Sequence, residues 1–377
     1  MNKKVLAIIP GTSLSNPSEG HQVRAYNLLT ELEKRGWEVT VLEQGQNENS
    51  NFENCYKFKN IVPDRLNDIN PFLWREIIDK GKDADIVHVK TFSGVTAAKV
   101  ISQLPGYDFS VVYDAQNVEA AKIKQSNISH LNIVKRLFAP IVVSNLERLS
   151  VRLADKVVAV SDKDYNRFNS TYDIEDEKIE VIPSGSNLIT SSKDDYTIPA
   201  MSTSDLCIVF HGTYDYYPNK EAIEAISDVA EGIESGDVHF VIAGKGVPSI
   251  ETENLSMVGF VDNLEALLGR AEIAFAPIRR GGGTKLKIID YMAAELPIVT
   301  TTVGAEGLGI CDGEEAIIHD PDEDSQTFRN SLIELIECSG KRRSLGSNAR
   351  KRFEEGFSWE SIGVRLDNLY TGLLNEK

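Results

Sequence analysis

Short apolar runs alternate along the chain with longer stretches whose apolar residues recur at helical spacing. Val5–Pro10 reads as a buried strand and Gly11–Gly20 as a loop rich in Ser, Asn, Pro and Gly. Ala25, Leu28, Leu29 and Leu32 then recur at i, i+3, i+4 and i+7, which predicts a helix ending at Gly36, and Trp37–Glu43 is the next strand. Strand, loop, helix, strand is the βαβ unit of a parallel sheet. Apolar runs at Ile86–Lys90, Phe109–Ala115, Val157–Ser161 and Ile179–Ile182 continue it, so the first half reads as a doubly wound α/β domain.

Gly185–Ser204 loses all periodicity and reads as a linker. A second α/β series follows, with strands at Leu206–His211, Val238–Gly244, Met257–Phe260, Ile273–Ile278 and Pro297–Thr302 and helices starting at Pro218 and near Thr284. The expected division is 1–190, 191–357 and a final helical segment 358–377. Two such halves are expected to face each other across a cleft, the expected active site, because open α/β sheets bind ligands at the carboxyl ends of their strands.

Composition narrows the function. The 377 residues carry 41% apolar side chains, enough for cores and too many for disorder. Cys55, Cys207, Cys311 and Cys338 are too scattered for a zinc site or a disulfide framework, so reduced thiols and a cytoplasmic protein are expected. The apolar run at the start is too short for a signal peptide, and no run is long enough to span a bilayer.

The net charge of −17 divides into −2 up to Thr190 and −15 beyond it. Such a field repels nucleic acid and any anion unless positive charge is concentrated locally. One concentration exists: from Ile273 to Ile289 the only charges are Arg279, Arg280, Lys285 and Lys287, around Gly281, Gly282 and Gly283. Another lies at 120–153, where six basic residues and Glu147 interleave with Leu137, Phe138, Ile141, Val142, Val143 and Leu146. Peripheral contact with an anionic membrane, on the inner face, and ordinary amphipathic packing both account for it.

The glycine-rich stretch carries the clearest chemistry. A strand ending at Ile278, three glycines that let backbone approach a ligand, and a helix near Thr284 with free N–H groups make a diphosphate site. The helix end supplies about half a positive charge, and each charge-assisted hydrogen bond adds about 1.5–3 kcal/mol. The order is neither G-x-x-x-x-G-K-[ST] nor G-x-G-x-x-G, which disfavours a simple ATPase or dehydrogenase. Asp290, on the apolar face of that helix, suits either a ribose diol or an internal salt bridge. Gly212 opens the loop after Phe210-His211, and Pro218 fits a first helical turn. In the first half, Glu19-Gly20-His21 precedes a helix and Asp114 closes a strand, where it serves either an acceptor or a helix cap.

Taken jointly, Glu19-Gly20 to Leu32, Asp114 with Asn117 and Glu119, Ala154-Asp155 to Ser161, Val181 to Asn187, Phe210 to Asn219, Val258-Gly-Phe260, Gly282 to Val299 and Phe357-Ser-Trp359 resemble the retaining glycosyltransferases of family four, of GT-B fold. The resemblance spans essentially the whole chain. It implies two Rossmann-like domains, a nucleotide-diphosphate sugar as donor, no cofactor, and a glycan, lipid-linked or polysaccharide acceptor. Gly212, Thr213, Arg280, Gly281, Gly282, Gly283, Thr284, Lys285, Lys287 and Asp290 would hold the donor. Asp114, Gln116 and Asn117 would lie at the reacting centre, and Glu19, Gly20, His21 and Arg24 on the acceptor side. The departing diphosphate oxygen would assist the incoming hydroxyl, so no protein nucleophile is required, and the final helix would pack back on the first domain. No Asp-x-Asp pair closes a strand, so no obligatory metal is expected.

Three positions depart from the family pattern. Gly282 stands where the first of two paired glutamates is common, with Asp290 at the second; Thr213 stands where arginine is common; Gln116 replaces a histidine. Lys285, Lys287 or Arg280 could take over the arginine's phosphate role. Two other readings compete with a transferase: a sugar-nucleotide epimerase or hydrolase of the same fold, and a noncatalytic nucleotide-sugar-binding partner.

Overall fold

The computed structural model describes residues 3–17, 20–44, 51–119, 133–188, 202, 205–233 and 236–376, with the backbone alone for 133–139. The chain divides into two α/β units, Met1–Ser184 joined by Trp359–Lys377, and Gly185–Ser358. The first boundary thus falls at Ser184 rather than at 190. Most of the expected linker, and residues 120–132 of the basic stretch, lie outside the described residues.

In the first unit, β1 (Lys3–Ile9), β2 (Trp37–Gln44), β3 (Asn54–Phe58), β4 (Ile86–Val89), β5 (Ser110–Ala115), β6 (Lys156–Ala159) and β7 (Ile179–Val181) form one parallel sheet in the order 3-2-1-4-5-6-7. Helices cover both faces, which is why β1 from Val5 to Ile9 is one apolar run and every residue of β4 is buried, with no alternation of buried and exposed positions. The helices are α1 (Gly20–Lys34), α2 (Pro71–Lys80), α3 (Val95–Ser102), α4 (Ile133–Leu153) and α5 (Asp162–Tyr172). The strand order reverses between β1 and β4, so the crevice of this sheet opens beyond Ile9 and Val89.

The second unit has the matching order 10-11-9-8-12-13-14: β8 (Leu206–His211), β9 (Val238–Ala243), β10 (Ser249–Glu251), β11 (Leu255–Gly259), β12 (Ile273–Ala276), β13 (Ile298–Thr301) and β14 (Ala316–His319). Only β10 is antiparallel. Its helices are α6 (Tyr217–Glu231), α7 (Leu264–Arg270), α8 (Leu286–Ala293), α9 (Ser325–Glu337) and α10 (Ser339–Gly356). Here the order reverses between β8 and β12, immediately before Gly212 and the glycine-rich loop.

The last helix, α11 (Trp359–Asn375), belongs to the first unit. Trp359, Ile362, Leu366, Tyr370 and Leu373 join Ala25, Leu28, Leu29 and Leu32 of α1 in one core. Polar contacts fix its rotation: Trp37 Nε1 donates to Asp367 at 2.7 Å, Lys3 Nζ to Thr371 at 2.9 Å, and Tyr370 Oη lies 2.6 Å from His88 Nδ1. Among the described residues no helix is long and apolar enough to cross a membrane.

Two glycines of α11 make the packing testable. A Cβ on Gly363 would lie 2.7 Å from Glu31 Cβ, whereas Gly372 has nothing within 4 Å. Gly363→Ala is expected to cost about 1–3 kcal/mol by overpacking, although alanine is the better helix former. Gly372→Ala should instead gain about 0.5–1 kcal/mol. Denaturant titration of both variants checks this, and equal effects would mean that α11 is not packed on α1.

Candidate functional site

At the reversal point of the second sheet, Gly212 follows β8 and leaves room that Lys287 and Asn219 fill. A Cβ there would lie 2.6 Å from Lys287 Nζ and 2.7 Å from Asn219 Nδ2. Gly244, after β9, is forced: φ is +146°, and a Cβ would meet Gly212 O at 2.0 Å. The space so kept is occupied by the ammonium of Lys287, which donates to Asn219 Oδ1 at 2.6 Å and lies 4.1 Å from the Phe210 ring centroid. Asn219 is oriented in turn by donating to Thr213 O at 2.7 Å, while the Thr213 side chain faces solvent.

Burial pushes the Lys287 amine down to about 7, against the attraction of Asp290 and helped by the charge of Lys285. Asp290, one turn further along α8, is pushed up to about 6, again by burial, which outweighs a hydrogen bond from Ser186 and the Lys287 charge. Its Oδ2 lies 3.4 Å from His211 Nε2, a buried atom with no hydrogen-bond partner. His211 is held to about 3 by burial first and then by Lys287, so it is neutral and forms no true salt bridge with Asp290. Tyr291 packs its ring against His211 at 5.2 Å and accepts the His211 backbone N–H at 3.0 Å. The group is therefore a lysine and a carboxylate whose charged forms the interior disfavours, beside an orphaned imidazole nitrogen.

The glycine-rich loop bends back on itself. Gly281 has φ of +122° and Gly283 of +72°, and Lys285 Nζ donates to Gly283 O at 2.6 Å and to Gly281 O at 3.3 Å. This staple delays the helix: α8 starts at Leu286 with Lys285 as its cap residue, two positions after the expected Thr284. The Thr284 hydroxyl is buried without a partner, and Arg280 is mostly exposed beside Glu221 at 3.5 Å. Of the three cations that could serve a phosphate, Lys287 alone stands against Gly212. Gly282 has open space around its Cβ position, so no steric demand explains the loss of a glutamate there.

In the first unit a cavity of about 300 Å³ opens at the β1/β4 reversal. Of the expected residues, His21, Gln116 and Asn117 line it, with Gln116 Nε2 donating to His21 O at 3.3 Å, and Gly20 starts α1. Glu19 lies outside the described residues. The cavity also presents Asp64, Arg65, Lys90 and Glu119, of which only Glu119 was part of a sequence motif. Glu119 is held from behind: its N–H donates at 2.9 Å to Glu147, a fully buried carboxylate of α4 that also accepts from Tyr172 Oη at 2.5 Å and Tyr113 Oη at 3.3 Å.

Asp114 and Arg24 are corrections to the expected site. Both are buried, and neither lines the cavity. Arg24 Nη2 donates to Asp114 Oδ1 at 2.7 Å and Nη1 to Pro183 O at 2.6 Å, so each charge satisfies the other in the interior. Burial alone would raise the Asp114 carboxyl, but Arg24 and neighbouring His88 hold it below the usual range. A carboxylate tied up in this way cannot reach a substrate.

Residues 205–338 match the family model described as glycosyl transferases group 1, and residues 18–188 that of glycosyltransferase family 4. The chain belongs to the family-four type of glycosyltransferase. Solved structures share the fold over the whole chain: sucrose-phosphate synthase of Thermosynechococcus elongatus (16% identical, TM-score 0.73, 100% of both chains) and HepE of Anabaena in complex with UDP (15%, TM-score 0.69, 98% of this chain and 100% of that one). These neighbours establish a GT-B architecture. Among curated proteins, an uncharacterised glycosyltransferase of Methanocaldococcus jannaschii is 27% identical over 162 residues, 40% of this chain and 43% of that protein. The MMP alpha-(1->4)-mannosyltransferase of Mycolicibacterium hassiacum is 35% identical over 111 residues, 29% of this chain and 26% of that protein. The matched part thus spans less than half the length of these two relatives.

The two buried acids give opposite expectations for family-four sites of this kind. Because Asp290 is raised to about 6, its stabilising contribution is present below the ordinary carboxylate range and is lost as pH rises through 6. The melting temperature of Asp290→Asn relative to the parent should therefore climb between pH 4 and 7; a flat difference would mean an internally satisfied carboxylate. Arg24→Ala strands Asp114 in the interior and should cost about 3–5 kcal/mol in denaturant unfolding. A loss below about 1 kcal/mol would mean that water reaches Asp114.

Proposed function

We propose that the protein is a retaining, hexosyltransferase-type glycosyltransferase, which moves a sugar from a nucleoside-diphosphate sugar to a hydroxyl of a glycan, lipid-linked or polysaccharide acceptor. The observation that carries this reading is Lys287, an ammonium placed in the space kept clear by Gly212 and disfavoured there until an anion arrives. A diphosphate supplies that anion. The backbone N–H groups of Gly281, Gly282, Gly283 and Thr284 and the start of α8 add donors and a dipole along the same edge. Asp290 would accept from the ribose hydroxyls, and His211 Nε2 stands ready to hydrogen-bond whatever lies beside it.

Lys287 and the helix dipole would stabilise charge developing on the leaving diphosphate, so catalysis would consist of positioning and electrostatics. The bond from the sugar's anomeric carbon to the diphosphate oxygen breaks, the acceptor oxygen bonds to that carbon on the same face, and the acceptor's proton passes to the departing oxygen. Gln116 and Asn117 would orient the hydroxyl from the first unit; neither can take a proton. The neighbours' complexes with UDP, and a curated relative in Corynebacterium glutamicum named as GDP-mannose-dependent, make uridine and guanosine donors the first to try.

A thermal-shift panel of nucleotide-sugars and free nucleoside diphosphates tests the donor site. Saturation to 100 times the dissociation constant should add about 2.7 kcal/mol of stability, and no shift with any of them would sink the reading. Lys287→Ala should weaken the nucleotide that binds by about 1.5–3 kcal/mol. Affinity for it should also fall as pH rises above 7, since the ammonium must be charged to act. Affinity unchanged by either would remove Lys287 from the site. Turnover of the donor without acceptor would mark an epimerase or hydrolase instead.

The membrane contact is part of the same reading. On α4, Ile141 (59% exposed), Val142 (47%) and Leu149 (43%) share the outward face with exposed Arg148 and Arg152, while Val143 and Glu147 point inward. Exposed apolar and basic side chains on one helix face suit an anionic lipid surface. Co-sedimentation with phosphatidylglycerol vesicles, and loss of it in Ile141→Asp with Val142→Asp, is the expected result; equal binding to neutral vesicles would count against it.

A further inference from the structure

The cavity at the β1/β4 reversal has its own chemistry, apart from the donor. At about 300 Å³ it lies at the lower end of small-molecule sites, room for one sugar unit rather than a chain. Two carboxylates face it. Asp64 is oriented by Gln44 Nε2 at 2.7 Å and Asn60 Nδ2 at 2.9 Å, both donating to the same oxygen, Oδ1. Glu119 is fixed through its backbone by buried Glu147, with its Oε2 3.7 Å from Arg65. Arg65 and Lys90 bring cations to the same lining, so it holds charges of both signs.

A phosphate or carboxylate ligand needs donors on every side, and Asp64 and Glu119 oppose it in a lining that also holds Arg65 and Lys90. A sugar hydroxyl both donates and accepts, so it pairs with a lining that offers both.

We infer that this cavity takes an uncharged sugar ring of the acceptor, and that Asp64 and Glu119 are the residues that select it against uronic acids and sugar phosphates. The inference rests on the acceptor-side role proposed above for this unit, and gives that role a substrate class.

Saturation-transfer NMR on the full chain, without nucleotide, tests it with methyl hexosides, the matching methyl uronosides and the hexose 6-phosphates. Neutral glycosides are expected to bind about fivefold or more tightly than their anionic counterparts at low salt. In the Asp64→Asn, Glu119→Gln double variant the ratio should fall towards one, because both changes keep shape and remove charge. Anionic probes binding as well as neutral ones to the parent, or no neutral glycoside binding at all, would overturn the inference. So would an unchanged ratio in a double variant whose melting temperature matches the parent. Titration of UDP and GDP reports separately on the second unit: glycoside binding with no nucleotide binding would count against the transferase reading and not against the charge selection.

Discussion

A lysine ammonium can sit inside the second unit because Gly212 has no side chain. That vacancy, enforced again by the contact of Gly244 on the Gly212 carbonyl, organises the rest of the edge: Asn219 is turned to accept from Lys287, and α8 must start where it does to bring Lys287 and Asp290 round one turn apart. The geometry stores an incomplete electrostatic arrangement. With Lys287 lowered towards neutrality and Asp290 raised, burial disfavours the charged form of each.

The Arg24–Asp114 pair in the first unit shows the contrasting outcome of the same physics. There the guanidinium spans both carboxylate oxygens and a backbone carbonyl, so two buried charges cancel with their hydrogen bonds made. Such a pair has nothing left to offer a ligand. What separates the two clusters is not burial, which both share, but how the charges are met: Arg24 and Asp114 pair directly at 2.7 Å, whereas burial pushes Lys287 and Asp290 each towards its neutral form.

This difference also explains how much could be read from the chain alone. Most strands were legible, because a parallel sheet covered on both faces needs unbroken apolar runs such as Val5–Ile9 and Ile273–Ala276. The strands missed were β3, β10 and β14, at or towards sheet edges, where Asn54–Phe58 and Ser249–Glu251 are partly exposed and mix polar with apolar residues. The glycine-rich loop and the cations around it were legible as chemistry, but not which cation does what. Lys285 and Lys287 are equivalent in composition, and only backbone geometry assigns one to stapling the loop and the other to the space at Gly212. Asp114 failed for a related reason: a carboxylate at the end of a strand is compatible with pointing into a crevice or into the core, and its partner Arg24 lies ninety positions away in sequence.

The cavity of the first unit was the least legible part because its chemistry is assembled from single residues on separate segments. Asp64 and Arg65 come from the turn before α2, Lys90 from just after β4, and Glu119 from the segment after β5; of these only Glu119 belongs to a motif with a fixed spacing. The parallel sheet brings them together, since strands that reverse order at β1/β4 leave one crevice into which successive loops all project. The same topology therefore imposes opposite demands on its two copies. The second unit sets glycines at 212 and 281–283 along its edge, with Lys287 Nζ against Gly212. The first fills its crevice with side chains of both charges, so its selectivity can change one residue at a time while the sheet beneath stays fixed.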